Sequence, residues 1–182
     1  MAILSYEKLE MYDLSSCMLE NFKRLQDFDI YHCLLAGTLA STLKIQSQML
    51  KFPQAFLKWI KICDGGLLFD TTMLSSKSYD KDLDLPFSSI EEHNTVDAIR
   101  EYGLPDGYFV FAVRSDGDPI CFKKRGEDER VYLWNREEEA FEEVWDTFED
   151  WLTEEIDTGI QLIAEDVLDP LDIKLIGEDD GI

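Results

Sequence analysis

Between Phe52 and Phe69 the pattern predicts a buried helix that turns sharply through Gly65-Gly66 into a strand, and the rest of the fold has to accommodate that geometry. Pro53 suits the first turn of a helix, where its missing N–H costs nothing and its fixed φ helps. Gln54, Lys58 and Lys61 recur at i, i+4 and i+7 and form one narrow polar stripe. Phe52, Phe56, Trp59, Ile60 and Cys63 occupy the remaining circumference, so the predicted helix is buried on most of its surface. Gly65 supplies the left-handed residue that ends such a helix, and Gly66 loosens the turn that follows. The spacing then predicts a strand over Leu67–Leu74.

A chain of 182 residues, 45% of them hydrophobic and 12% aromatic, is long enough for one well-buried domain. Its formal net charge of −22 is the dominant bulk property. Such a surface repels nucleic acid and anionic membrane and attracts basic partners. The single basic cluster, Lys123-Lys124-Arg125 with Arg130, reads as a solvated loop between two strands, so no direct nucleic-acid binding is expected. Cys17, Cys33, Cys63 and Cys121 show no Cys-x-x-Cys spacing; Cys33 and Cys63 read as small buried hydrophobes in a reduced setting. The start of the sequence has no basic leader region, and no apolar run approaches a membrane span. The expected location is cytoplasmic.

In chain order, residues 6 to about 50 read as two or three helical pieces. Asp13 is the expected cap of a helix carrying Leu14, Met18, Phe22 and Leu25. Asp29 is the expected cap of the next, carrying Cys33, Leu34, Ala40 and Leu43. The polar segment 75–86 is a loop. Ser88 with Glu91 and Ser89 with Glu92 are overlapping capping boxes for a helix that reaches Tyr102 and stops at Gly103. Strands follow at Tyr108–Val113, Ile120–Lys124 and Val131–Asn135, with Asp116-Gly117 as a two-residue hairpin signal. A short strand over Ala140–Trp145 precedes a last helix capped by Asp146 with Glu149, which Gly159 ends or bends. The order of elements gives an α+β fold: helices first, a mostly antiparallel sheet, then a helix. One domain over 1–182 is expected, with a helical elaboration over 1–50, a core over 51–160 and an acidic segment over 161–182.

Catalytic constellations are missing from this pattern. His32 reads as a core-edge residue and His93 as a surface one; neither has Cys-His spacing for zinc, and no metal or cofactor is expected. Asp80, Asp82 and Asp84 fall on one side of an extended chain, which reads as a solvated acidic loop rather than a cation site. Asp116-Gly-Asp118 lacks the ligand order of a calcium loop and reads as a turn. There is no Gly-x-Ser-x-Gly elbow and no phosphate-cradling glycine loop. From Glu137 to Asp157 carboxylates interleave with Phe141, Trp145, Phe148 and Trp151. The aromatic spacing is that of a core. The single-sign excess outside it exceeds what solubility requires and costs stability through repulsion, which points to a basic partner.

Four blocks of the sequence together resemble the SUKH (Smi/Knr-like) superfamily. They are the Pro-led helix with its Asp64-Gly65-Gly66 turn, the run Leu104–Phe122, Val131-Tyr-Leu-Trp-Asn135, and Trp145-Asp-Thr-Phe-Glu-Asp-Trp-Leu152. Order and spacing match from about Phe52 to Ile156. Asp64 stands where the family usually has Asn, and the Ser115–Pro119 turn carries one Gly rather than two. The resemblance implies a SUKH-like α+β fold with N-terminal helices, a mostly antiparallel central sheet of about five to six strands and a C-terminal helix.

In bacteria such proteins resemble immunity proteins that neutralise toxins, many of them nucleases, delivered by neighbouring cells. The implied function is a non-catalytic cytoplasmic immunity protein whose partner is a protein toxin, with a basic nuclease domain as first choice. The alternative is a regulatory protein-interaction scaffold like the eukaryotic members. The expected binding face comprises the carboxylates Asp80, Asp82, Asp84, Asp116, Asp118, Glu137, Glu138, Glu142 and Glu143, with Trp134 as an aromatic anchor.

Overall fold

In the computed structural model, which describes residues 9, 12–37, 52–76, 88–124 and 128–171, seven strands pair in the order in which the chain makes them. They are β1 (His32–Ala36), β2 (Cys63–Leu68), β3 (Thr71–Met73), β4 (Tyr108–Arg114), β5 (Pro119–Lys123), β6 (Val131–Asn135) and β7 (Ala140–Trp145). Every pairing is antiparallel, so the sheet is a continuous meander, with more strands than the five to six expected. The helices are α1 (Ser16–Gln26), α2 (Gln54–Ile62), α3 (Ile90–His93), α4 (Val96–Glu101) and α5 (Phe148–Ala164). The fold is α+β. Among the described residues no helix is long and apolar enough to cross a membrane.

Helices α2 and α5 bury one face of the sheet through aromatic contacts. Phe52 meets Phe109 edge-on at 5.1 Å, Phe56 sits 5.0 Å from Phe122, and Trp151 meets Phe111 edge-on at 5.1 Å. Edge-to-face pairs of this kind add about 1 kcal/mol each beyond area burial. Helix α1 reaches the same core by stacking Phe22 on Trp59 at 5.0 Å. Its polar side locks along α5: Ser15 donates to Glu149, Asn21 Nδ2 donates to Thr153 Oγ1 at 2.9 Å, and Arg24 pairs with Asp157.

Several local expectations are corrected. The segment expected as a helix capped by Asp29 is a 3-10 turn, Asp29–Tyr31, followed by strand β1. The run His-Cys-Leu-Leu-Ala has no decisive period, and pairing with β2 decides its state. Gly65 and Gly66 do not end α2. They lie inside β2, at φ +85° and +132°. The strand expected over Leu67–Leu74 is a hairpin folded at Phe69-Asp70, with Leu68 opposite Thr71. Phe69 takes φ +54° at that tip and lies buried against α5, where a Cβ on Gly159 would stand 2.3 Å from the ring. Gly159 therefore neither ends nor bends the helix; it makes room for Phe69. The N-caps are Ser15 for α1 and Thr147 for α5, not Asp13 and Asp146.

The helix expected from Ser89 to Tyr102 is realised in two pieces. Ser89 and Glu92 form the capping box of α3, and Thr95 caps α4. The break falls at Asn94, whose side chain accepts from Val110 N at 2.9 Å and donates to Val110 O at 2.8 Å. Strand β3 pairs only with Ala112–Arg114, so the Asn94 amide continues the ladder where β3 has ended. The β4–β5 turn holds three residues rather than two. Arg114 N bonds Asp118 O, Gly117 N bonds Arg114 O, and Gly117 at φ +92° is the one left-handed residue this turn needs.

Asp64 explains its departure from the family pattern. It is buried and accepts from Ser76 N at 2.6 Å and Ser76 Oγ at 2.7 Å, tying β2 to the segment that leaves β3. Asp64→Ala strands the Ser76 N–H in the interior and is expected to cost about 3 kcal/mol. Asp64→Asn keeps an acceptor for that N–H and is expected to cost about 1 kcal/mol. Urea unfolding midpoints check both; equal losses would contradict the assignment.

Candidate functional site

At one end of the sheet, the last turn of α4, the β4–β5 turn and the β6–β7 turn come together. They enclose two adjoining hollows of about 410 and 320 Å³ that share Glu101, Tyr102 and Arg136 as walls. The larger is lined by the carboxylates of Glu101, Asp116, Asp118, Glu137 and Glu139 against the guanidinium groups of Arg100 and Arg136. Five negative charges facing two positive ones leave the lining net anionic.

The turns are rigid because the acidic side chains build them. Asp116 Oδ1 accepts from Asp118 N at 2.9 Å, an Asx turn, and Asp118 Oδ1 accepts from Arg136 N at 3.0 Å, linking the two hairpins. Asn135 Oδ1 accepts from Glu138 N at 2.9 Å. In both aspartates the bond to the turn uses Oδ1, and Oδ2 takes no part in it.

Tyr102 holds the floor. Its backbone oxygen accepts from Trp134 Nε1 at 2.9 Å, its ring lies 5.4 Å beneath the Arg136 guanidinium, and its hydroxyl pairs with His93 Nδ1. Burial pushes the Tyr102 phenol up to about 12 and the His93 imidazole down, so both are neutral at physiological pH. A neutral tyrosine–histidine pair under a cation–π contact ties α3, α4 and the β6–β7 turn together beneath the rim.

The predicted residues divide. Asp116, Asp118 and Glu137 converge in the larger hollow. Glu138 is exposed on the same turn, and Glu142 is exposed on β7, where it accepts from Asn135 Nδ2 at 3.3 Å. Glu143 turns inward and lies 3.6 Å from Arg114. Asp80, Asp82 and Asp84 lie outside the described residues. Trp134 is corrected. Expected as an exposed anchor, it is only 4% exposed, packed against Phe141 at 4.9 Å with its indole N–H donating to the Tyr102 backbone oxygen.

Glu101, Tyr102 and Arg136 escaped the sequence reading, whereas Glu139 falls in the acidic run Glu137–Glu143 expected on the binding face; His93, expected on the surface, is half-buried. No local pattern marks the first three; the meander alone brings α4 beside two turns from later in the chain. Two members of the basic cluster are engaged by Asp128, Arg130 through two bonds of 2.8 and 2.9 Å and Lys123 at 3.7 Å, while Arg125 lies outside the described residues. Arg130, helped by the hydrogen bond from the Tyr132 hydroxyl, holds the Asp128 carboxyl well below the usual range.

A meander of this order, with helices packed on it and an anionic rim at one end, defines an α+β fold. The model of the SMI1 / KNR4 family (SUKH-1) matches residues 38–154, more than half of the chain, and the chain belongs to that family. No curated protein and no solved structure matches it. Helix α1 and strand β1 precede the matched span, yet they complete the core and the sheet.

Proposed function

We propose that the chain is a non-catalytic immunity protein that acts in the cytoplasm by binding a protein toxin, a basic nuclease domain, and blocking it. Membership of the SUKH-1 family supports an immunity or interaction role. The observation that selects a basic partner is the convergence of Glu101, Asp116, Asp118, Glu137 and Glu139 on one rim of a chain whose net charge is −22. Nuclease domains present cationic clefts to phosphate, and an anionic rim is steered to such a cleft at long range.

The test is co-expression with nuclease-domain toxins, read as restored growth, followed by stopped-flow association. The variant Asp116→Asn, Asp118→Asn, Glu137→Gln, Glu139→Gln keeps the acceptors that build the turns and removes the charge. It is expected to fold normally and to associate about tenfold more slowly at low salt, with the difference shrinking as salt is added. Growth restored against no nuclease, with several host proteins bound instead, would support the scaffold reading.

A further inference from the structure

A meander leaves two sheet edges, and in this protein they differ. Strand β1 is buried at four of its five residues. Strand β7 is open: Ala140, Glu142 and Val144 are exposed, and among the described residues β6 is its only strand neighbour. Among the described residues no turn, loop or cap hydrogen bond uses the backbone of Ala140–Trp145. An unpaired strand edge offers a row of N–H and C=O groups to any extended chain that reaches it.

What that chain must be follows from the side chains. Val144, 49% exposed, is one of the few large apolar residues on the described surface, and it stands opposite Tyr132 on the sheet face that also carries half-buried Phe141. Along this strand and in the turns at its two ends the carboxylates of Glu138, Glu139, Glu142 and Asp146 are exposed. A second copy laid on this edge would set glutamates against glutamates between two chains of charge −22, which like-charge repulsion forbids. An extended segment with lysine or arginine alternating with apolar residues meets opposite charge along the strand and places its apolar side chains beside Val144.

We infer that the open edge of β7 takes an extended, lysine- or arginine-rich segment of the partner as an added strand. This deepens the proposed function, resting on it only for the partner's positive charge. The edge then supplies direction and register through main-chain bonds, while the rim at the β4–β5 and β6–β7 turns supplies steering.

The full-length protein is titrated with an acetylated Lys-Val-Lys-Val-Lys-Val-Lys peptide and with the same peptide carrying Pro at its centre, followed by amide exchange in NMR. Saturation with the first peptide is expected to slow exchange of amides within Ala140–Trp145 at least tenfold while the Ser115–Gly117 turn keeps its free rate. The Pro peptide, which cannot complete the ladder, is expected to bind at least tenfold more weakly, and so is the first peptide to the Glu142→Lys, Val144→Lys variant. Equal binding of both peptides, or protection confined to the turns, overturns the inference. A nuclease that is neutralised without protection of β7 overturns this inference alone. Protection of β7 by the peptide beside failure to neutralise any nuclease overturns the proposed function and leaves the edge site standing.

Discussion

Gly66→Ala is expected to cost about 4 kcal/mol or more and to leave most of the chain unfolded in mild denaturant. Gly66 sits at φ +132° inside β2, with Leu34 of β1 on one side and Met73 of β3 on the other. A Cβ there would stand 2.2 Å from the Cys33 carbonyl oxygen and 2.9 Å from Leu34 Cα. Both are backbone atoms held in the ladder, so the strand cannot yield without losing β1. Domains of this kind are stable by only about 5–15 kcal/mol in all, so one such clash consumes much of the total. Gly107→Ala is the control: it also has positive φ, +96°, but nothing lies within 4 Å of its Cβ position. Its expected cost is the left-handed strain alone, about 1 kcal/mol. Circular dichroism against urea separates the two, and equal midpoints would show that the close approach of β1 to β2 is unimportant.

The second large effect is a pH dependence carried by one buried carboxyl. Glu155 lies on the inner side of α5 and accepts from Thr71 Oγ1 at 2.6 Å. Arg114, Asp70 and Glu143 surround it, with Arg114 drawn towards Glu143 at 3.6 Å. Burial, aided by the neighbouring Asp70 and Glu143 carboxylates and opposed by the Thr71 bond and Arg114, raises Glu155 from 4.5 to about 7. The folded protein therefore holds a proton that the unfolded chain releases. Its contribution to stability is complete below pH 4.5 and falls as pH rises to about 7, by about 3 kcal/mol in total. Glu155→Gln keeps an acceptor for Thr71 and carries no ionisable proton. Across that window the variant is expected to lose this slope and to be more stable than the parent above pH 7. Thermal midpoints of both proteins at matched ionic strength test this. The same slope in both would locate the effect in the general repulsion of a chain of charge −22.

Much of the frame was legible because its signals are local. Pro53 and the narrow Gln54, Lys58, Lys61 stripe announce a helix buried nearly all round, and α2 is that helix. Turn residues at Asp116-Gly117 and Asn135–Glu139 punctuate a sheet whose strands β4 to β7 fall where alternation and β-branched or aromatic content place them. The failures share one cause. His32–Ala36, Gly65-Gly66 and Asn94 are decided by a neighbour far along the chain: a strand seeking a partner, a backbone passing within contact, a ladder left one residue short. None of those neighbours leaves a mark on the local spacing.

The candidate site divides along the same line. Composition alone made the surface anionic and the preferred partner cationic, because net charge is a sum that needs no coordinates. Which carboxylates face one another is a matter of topology. Asp116, Asp118 and Glu137 meet Glu101 and Glu139 because the hairpins β4–β5 and β6–β7 end beside α4, while Glu143, one residue from exposed Glu142, is turned inward to Arg114. Sequence determined the helix-to-sheet frame and the sign of its surface; only the tertiary structure decided which charges share a rim and which strand edge stays open. The physical reason is that side-chain period and charge are properties of the local chain, whereas proximity is created by pairing between segments that the chain itself keeps apart.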